Sequence, residues 1–245
     1  MLKHIGEYLL LMKQVFSKPE KKKILLSQIM REFDSIGVDS LVIVMIISLF
    51  MGAVTALQLA FNLSGNPVVP TYTIGYATRE TIVLEFSPTI VCLILAGKIG
   101  SRIASEIGTM RVTEQIDALE IMGINSANYL IQPKIIASLI IIPVLIAISM
   151  FLAILGGWLA GIFTGLFTSH DYIYGIQSWY HTYEIVYAFE KTFCFAFIIS
   201  SVSGYFGYIT KGGALEVGQA STKAVVNSSI LIIIFNLILT QLLLA

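Results

Sequence analysis

Charge is scarce in this chain. Only 12% of its 245 residues are charged, about half the share found in a soluble domain. The formal net charge is zero, so no overall positive field attracts nucleic acid. Hydrophobic residues make up 56% of the chain, and several uncharged apolar runs approach or exceed the ~18–20 residues that cross a bilayer. The composition excludes an ordinary soluble domain and predicts a helical protein that crosses a membrane several times.

Groups that carry covalent chemistry are also few. Cys92 and Cys194 each lie in an apolar run, which indicates small buried side chains rather than a disulfide or a metal pair. The three histidines are scattered, and neither H-E-x-x-H nor a Cys/His cluster occurs. Gly97-Lys98 does not complete a phosphate-binding G-x-x-x-x-G-K-[ST] loop, because Cys92 stands where the first glycine would be. We therefore expect no catalytic residue, metal site or cofactor in this chain.

Apolar segments and their breaks predict an all-α integral membrane protein with five transmembrane helices. An amphipathic pattern in residues 1–38 predicts interfacial helices that lie on the membrane or pack on the protein, and residues 39–245 form the five-span domain. A turn is expected at Ser64–Pro67. The third apolar run is too short for two spans and a turn, so it is one long helix. The predicted spans are about 40–62, 81–97, 135–169, 191–209 and 225–245.

Basic residues predict the orientation of the chain. Thirteen of the 15 lysines and arginines lie in residues 1–38, in residues 98–134 and in the link before the fifth span. Only Arg79 and Lys191 fall on the opposite side. Because basic loops stay in the cytoplasm, the amino end is predicted to be cytoplasmic and the carboxyl end to lie outside.

The stretch between the second and third spans, residues 96–123, is the longest amphipathic stretch between two apolar segments. A shift in its helical phase predicts two short helices with a bend at Gly108–Thr109, and Thr113 is predicted to cap the second helix. The stretch is either a solvated connection between two membrane helices or a docking element for a soluble partner. Its predicted acidic edge consists of Glu114, Asp117 and Glu120.

Two features lie inside the predicted spans. Spacing of Gly157, Gly161 and Gly165 as a doubled G-x-x-x-G predicts close approach of another helix. Glu85 is an ionisable residue in an apolar span, and Lys191 is predicted to lie at a similar depth. Such a carboxylate faces protein or a wet cavity. Glu85 therefore either forms a structural ion pair with Lys191 or lines the polar rim of a lipid cavity, and the two roles are compatible.

Three blocks of sequence resemble a known family over nearly the whole chain and in the same order. The first block is AGKIG at residues 96–100, ASEIGTM at 104–110 and TEQIDALE at 113–120, followed by Gly123. The second lies within residues 212–229, and the third is Lys191-Thr192 with Phe195. Together they closely resemble the signature of the MlaE-type permeases, which are the membrane subunits of lipid-transporting ABC systems.

The resemblance implies a permease homodimer in the bacterial inner membrane that moves phospholipids between the inner and outer membranes. It also implies two cytoplasmic ABC ATPases that hold ATP and Mg²⁺, a ring of MCE-domain lipid-binding proteins on the outer side, and a small STAS-domain partner. Residues 98–134 would correspond to the family's coupling element, which seats in a groove of the ATPase. The residues expected in coupling are Glu106, Arg111, Glu114, Asp117, Glu120 and Gly123.

Residues near the expected lipid cavity depart from the family pattern at two positions. Leu84 stands where many members carry an arginine, although Glu85 is kept. Asn236 stands in the fifth span where some members carry an aspartate. The resemblance assigns Glu85, Lys191 and Asn236 to the cavity or to its bracing.

Two other functions compete with this interpretation. A secondary transporter coupled to protons through Glu85 would work without an ATPase. A scaffold that only anchors an ATPase or a lipid-binding ring would move no lipid.

Overall fold

A computed structural model describes residues 2–17, 22–63 and 68–244. Regular structure in these ranges is helical throughout, which confirms the all-α fold class. The turn predicted at Ser64–Pro67 lies outside the described residues. The α-helices are α1 (Leu2–Val15), α2 (Lys22–Phe33), α3 (Asp39–Leu63), α4 (Thr73–Thr81), α5 (Cys92–Leu95), α6 (Ser101–Val112), α7 (Gln115–Ile121), α8 (Ser126–Thr164), α9 (Ser169–Gln177), α10 (Thr182–Tyr208) and α11 (Ala214–Leu244).

Within the described ranges, five continuous helices are long and apolar enough to cross a membrane, which confirms the predicted number of spans. They contain 27 to 41 residues, and each begins well before its predicted start. The third ends at Thr164, short of the predicted residue 169. The sequence marked only the apolar centre of each span, whereas helical hydrogen bonding continues into the amphipathic flanks. The five helices are Lys23–Leu63, Thr73–Val112, Ser126–Thr164, Thr182–Tyr208 and Ala214–Leu243.

π-Helical turns join the shorter α-helices into the first two long helices. These turns are Asp34–Val38, Ile82–Val91 and Ala96–Gly100. Pro88 lies in the second turn and has no N–H to donate, so a wider turn accommodates it within a continuous helix. Because Asp34–Val38 is helical, α2 runs directly into α3. The boundary drawn at residue 38 is therefore not a break in the helix.

The chain divides into two compact units. The first contains Met1–Ser40, Leu93–Ile142 and Phe193–Ala245, and the second contains Leu41–Cys92 and Pro143–Thr192.

In the first unit, α6 packs closely against α11 and α10. Ser221 Oγ donates to the carbonyl of Ser101 at 3.2 Å, which joins α11 to the start of α6. A Cβ at Gly108 would lie 3.3 Å from the side chain of Val217, and one at Gly207 would lie against the backbone of α6. These small residues allow the helices to approach closely.

The amino-terminal helix α1 packs on the same unit. The Nδ2 atom of Asn128 donates to the carbonyls of Val15 at 2.7 Å and Ser17 at 2.8 Å, which fixes the end of α1 on α8. The rings of Phe16 and Phe197 stack with centroids 6.3 Å apart. Of the two predicted positions for this helix, the structure shows the packing on the protein itself.

In the second unit, two glycines bring α3 and α8 into contact. A Cβ at Gly52 would overlap the carbonyl of Ala153, and a Cβ at Gly156 would overlap the carbonyl of Leu49. Beside this contact, Ser48 donates to Ser149 at 2.8 Å and Ser149 donates to Ser87 at 3.1 Å. These buried hydroxyls link α3, α8 and the π-helical turn that contains Ser87.

The predicted glycine series does not form a single helix contact. Gly157 accommodates the Tyr172 hydroxyl, which donates to the carbonyl of Ile154 at 3.1 Å. Gly161 lies under the ring of Phe167. Gly165 follows the end of α8 with a φ of +67°, so its role in the predicted helix contact is corrected to a helix terminus.

Short helices α4 and α9 pack together in the second unit. A Cβ at Gly75 would overlap the carbonyl of Tyr172, and a Cβ at Gly175 would overlap the carbonyl of Tyr72. The hydroxyl of Thr71 donates to Asp171 at 2.7 Å, and this hydrogen bond holds the pKa of the Asp171 carboxyl below its usual value. Two glycine contacts and one hydrogen bond thus hold α9 against the start of α4.

Candidate functional site

The segment 98–134, which we call the coupling segment, consists of the end of the second long helix, α7 and the start of α8. Its bend lies at Glu114, which adopts φ +60°, and not at Gly108–Thr109 as predicted. Gly108 stays helical, and its lack of a side chain serves packing against Val217 instead. The predicted cap is also wrong, because Glu114 precedes α7 and the Thr113 hydroxyl donates back to the carbonyl of Thr109 at 2.9 Å.

Helix α7 is seven residues long and exposes apolar side chains at its end. Ile116 is fully buried and attaches the helix to the rest of the unit. Ile121 is 87% exposed and Met122 is 65% exposed, while Gly123 turns the chain with a φ of +77°. These two adjacent side chains form a small exposed apolar surface at the end of the helix. Ile121 and Met122 were not predicted as site residues, because the prediction for this segment relied on its acidic residues.

Two of the three residues in the predicted acidic edge have partners within the unit. Asp117 accepts from Arg111 at 2.7 Å. Glu120 accepts from the hydroxyls of Ser126 at 2.8 Å and Tyr208 at 3.0 Å. Glu120 therefore connects α7 to the start of α8 and the end of α10.

The remaining acid of this edge, Glu114, differs from the other two. Within the part of the chain that the structure describes, its carboxylate makes no hydrogen bond or ion pair. Exposure and lack of a partner leave it available to a basic surface. All three acidic residues remain exposed, so the edge is present although its geometry differs from a simple helical stripe.

A buried cation connects three elements of the coupling segment and its surroundings. Lys134 on α8 has a side chain only 3% exposed and lies 2.6 Å from Glu32 and 2.7 Å from Glu106. Glu32 belongs to α2 and Glu106 to α6. Glu106 was predicted to act in coupling, and the structure places it in this intramolecular cluster. Glu32 was missed because its sequence context shows only an amphipathic helix.

A second cluster joins the start of the coupling segment to the helix that begins at Lys22. Arg102 lies 2.6 Å from the Asp39 carboxylate and donates to the carbonyl of Ser35 at 2.7 Å. Lys98 donates to the carbonyl of Asp39. This carbonyl and that of Ser35 lie at the π-helical turn, where widened hydrogen bonding leaves backbone acceptors accessible. Arg102 in α6 and Lys98 in the π-helical turn before it thus attach the second long helix to the first.

The second unit contains the other predicted pair. Lys191 Nζ lies 2.7 Å from Glu85 Oε1, so the structure brings the two together. Lys191 is fully buried, and its ammonium lies 4.5 Å from the centroid of the Tyr187 ring. The Thr89 hydroxyl donates to the other oxygen of Glu85 at 3.1 Å. The Glu85 side chain is 45% exposed.

Both members of this pair lie deeper in their helices than predicted. Glu85 is about three turns into the helix that begins at Thr73, and Lys191 is about two and a half turns into α10. Lys191 therefore does not open the fourth span. The difference arises because α4 and the start of α10 contain polar residues that the hydropathy pattern did not assign to a span.

Arg79 is a buried charge that the sequence interpretation counted only for orientation. It is 3% exposed and donates to the carbonyls of Ile176, Ser178 and Trp179 at 2.7, 2.8 and 3.1 Å. Its side chain also lies 2.6 Å from Glu80. The available signal was the adjacent opposite charges of Arg79 and Glu80 just before the second apolar run. The carbonyl contacts of Arg79 show that it fixes the turn after α9.

Asn236 lies on α11 in the first unit and is half-buried. The Thr240 hydroxyl donates to its carbonyl at 2.7 Å. Among the described residues of α11, none after Ile232 is buried up to Leu243. This end of α11 therefore presents an apolar surface with Asn236 and Gln241 in it.

Comparison with known proteins relates this chain to membrane permeases. A family model described as "Permease MlaE" matches residues 29–242. A probable ABC transporter permease of Rickettsia typhi is 40% identical over 91% of this chain and 85% of its own length. A probable ABC transporter permease of Synechocystis is 33% identical over 87% of this chain and 80% of its own length. The intermembrane phospholipid transport system permease protein MlaE of Haemophilus influenzae is 29% identical over 86% and 81% respectively. With the family model covering nearly the whole membrane domain, the chain belongs to the MlaE permease family.

Proposed function

We propose that this chain is the permease subunit of an ABC transporter that moves phospholipids between the inner and outer membranes of a bacterium. The match of the MlaE family model to residues 29–242 carries this proposal. The name of the Haemophilus influenzae relative, an intermembrane phospholipid transport permease, supplies the substrate class. Five spans and the small charged fraction are consistent with a subunit that works within the lipid phase.

ATP hydrolysis is assigned to a separate cytoplasmic ATPase, which would hold both ATP and Mg²⁺. The exposed end of α7 supports a docking role for the coupling segment. Ile121 and Met122 provide apolar anchors for a groove, and Glu114 provides an exposed charge that would orient the partner. Apolar anchors contribute most of the affinity at such interfaces, whereas charges mainly set orientation and association rate.

Intramolecular contacts would carry a displacement of α7 into the membrane helices. Glu120 links α7 to α8 and α10 through Ser126 and Tyr208. Lys134 links α8 to α2 and α6 through Glu32 and Glu106. In this proposal, Glu106, Arg111 and Glu120 act by holding the segment together, and the ATPase contacts the end of α7.

A second copy of the chain is proposed to cover the exposed end of α11. Residues after Ile232 present apolar side chains together with Asn236 and Gln241. Polar amides in a membrane helix stabilise helix association, because they exchange hydrogen bonds across the contact. A cysteine at Leu237, which is 62% exposed, is expected to crosslink to its counterpart in a lipid nanodisc.

The remaining partners follow from family membership and complete the proposed assembly. An MCE-domain lipid-binding ring would sit on the outer side, with a STAS-domain protein beside the ATPase. The chain would lie in the inner membrane with its amino end in the cytoplasm and its carboxyl end in the periplasm. Glu85 and Lys191 would brace the helices beside the lipid path.

Reconstitution of the chain with its ATPase tests this function. Proteoliposomes that contain both proteins and a fluorescent phospholipid are expected to show ATP-dependent movement of the lipid to an acceptor lipid-binding protein. Liposomes with the ATPase alone, or with a non-hydrolysable nucleotide, serve as controls. ATPase binding without lipid movement would favour an anchoring scaffold, and lipid movement driven by a proton gradient alone would favour a secondary transporter.

A further inference from the structure

An apolar slot lies between α1, α10 and α11 in the first unit. Its volume is about 510 Å³, within the range of sites that hold small molecules. Its walls are mainly apolar side chains. They include Ile5, Phe197, Ile198, Val202, Leu231 and Phe235.

A polar cavity of about 410 Å³ adjoins this slot. His4 and Phe206 line both spaces, so the two spaces are neighbours. Lys211 and Lys223 also line the polar cavity, and no ion pair of either lysine occurs among the described residues. The carboxylate that lines it, Glu216, accepts the backbone N–H of Gly213 at 2.8 Å.

One face of α11 passes through both spaces. Lys223, Asn227, Leu231 and Phe235 follow one another at four-residue intervals, so they lie on one side of the helix. This row changes from cationic to polar to apolar over about 18 Å, at 1.5 Å per residue. That length is close to one leaflet of a bilayer, whose hydrocarbon core is about 30 Å thick in total.

The polar junction of the two spaces is ordered by hydrogen bonds. Tyr205 OH lies 3.0 Å from His4 Nδ1 and donates to Glu7 at 3.2 Å. Tyr8 donates to Ser201 at 2.8 Å. These contacts hold α1 against α10, so the position of the slot wall formed by α1 is fixed.

We propose that this site binds one anionic glycerophospholipid from the surrounding membrane, with an acyl chain in the slot and the phosphate beside Lys211 and Lys223. Both α10 and α11 are membrane-spanning helices, so lipid is the medium that surrounds the slot. The two lysines complement a negative headgroup, and the apolar row on α11 complements its chain. The proposal depends on the membrane location of the chain and not on transport, so it goes beyond the proposed function.

Photolabelling of the purified full chain in nanodiscs tests the site. The probe is phosphatidylglycerol with a diazirine on its acyl chain, and phosphatidylcholine with the same group is the neutral comparison. Mass spectrometry of the labelled peptides is expected to place the phosphatidylglycerol label on the slot walls in α10 and α11. A lysine near an anionic headgroup contributes about fivefold in affinity. The double variant Lys211→Glu, Lys223→Glu is therefore expected to lower this labelling at least tenfold.

A matched control reverses the charge of two lysines that lie outside both cavities. Lys13 and Lys23 are exposed and lie outside both cavities, so Lys13→Glu, Lys23→Glu is expected to retain the labelling. Ile5 is 56% exposed at the slot, and Ile5→Trp should block labelling without disturbing the core. Equal labelling by phosphatidylcholine, label spread evenly over exposed apolar residues, or crosslinks showing a second copy of the chain in the slot would overturn the proposal. ATP-dependent transport that survives such a result would leave the proposed function intact.

Discussion

The Lys191 ammonium lies 2.7 Å from the Glu85 carboxylate, but the two side chains differ in their burial. Lys191 is fully buried, whereas Glu85 is 45% exposed. Removing one partner of a buried ion pair leaves the other charge without compensation. The cost therefore depends on which of the two remains.

Glu85→Gln is expected to destabilise the protein more than Lys191→Met. The first change leaves a buried ammonium and costs about 3 kcal/mol, the lower part of the range for broken buried pairs. The second leaves a carboxylate that polar surroundings can still reach. Thermal melting of the two variants in the same detergent measures the difference. A larger loss for Lys191→Met would contradict the assigned burial.

The same pair separates bracing from a direct role in lipid movement. The double variant Glu85→Gln, Lys191→Met removes both charges and is expected to recover most of the stability lost by Glu85→Gln. If the pair only braces the helices, this double variant transports lipid at close to the wild-type rate. A stable double variant that moves no lipid would instead assign Glu85 to the lipid path.

Lys134 is expected to be the most sensitive residue of the coupling segment. Lys134→Met leaves Glu32 and Glu106 close together without their cation, and the loss is about 3–5 kcal/mol. Glu106→Gln should cost less, because Glu106 is 45% exposed and Glu32 still pairs with Lys134. Melting temperatures in detergent give the order of the two variants. Equal melting of Lys134→Met and the wild type would remove this cluster from the account.

Two glycines in membrane helices provide a matched pair for testing helix packing. Gly52→Ala places a methyl group on the carbonyl of Ala153, and overpacking of this kind costs about 1–3 kcal/mol. In Gly97→Ala the new methyl group lies within 4 Å of no described atom outside its own stretch of helix, and the change gains helix propensity worth up to about 1 kcal/mol. The first variant should therefore melt below the wild type and the second at or above it. Equal melting of both variants would contradict the α3–α8 contact.

How far the sequence predicted the fold depended on the range of the interactions. Five spans followed from local hydropathy, and the long third helix followed from the absence of charge between residues 135 and 169. Helix contacts did not, because they depend on distant residues. Gly52 and Gly156 bring the backbones of α3 and α8 together, although the G-x-x-x-G pattern had predicted a contact at Gly157 and Gly161.

The candidate site was likewise predictable where its signals are local and not where its contacts join distant residues. Family motifs located the coupling segment, and the pairing of Glu85 with Lys191 followed from two isolated charges at similar depth. The partners of Glu106 and Glu120 were missed, because Lys134 and Tyr208 are remote in sequence from them. The bend at Glu114 was misplaced because a left-handed residue other than glycine leaves little local signal.

Orientation in the membrane can be tested by cysteine labelling. Cys92 and Cys194 are first replaced by alanine, and single cysteines are placed at Met122 and in a tag after Ala245. Met122 is 65% exposed and suits labelling, whereas Ser126 at the start of α8 is 2% exposed. An impermeant maleimide added to spheroplasts is expected to label the tag and to miss Met122 until the membrane is opened. The reverse pattern would refute the predicted topology.

Coupling through α7 is the central claim, and ATP-driven phospholipid movement by variants of its exposed end tests it most directly. The measurement compares the wild type with two double variants in proteoliposomes that contain the ATPase. One carries Ile121→Asp and Met122→Asp together, and the other carries Glu114→Lys and Asp117→Lys together. Lys13→Glu controls for a change of surface charge away from α7. Both double variants are expected to insert and fold normally, to lose most of the co-purifying ATPase, and to lower lipid movement at least tenfold, whereas the control transports normally. Full ATPase binding with wild-type lipid movement in both double variants would show that α7 is not the coupling element.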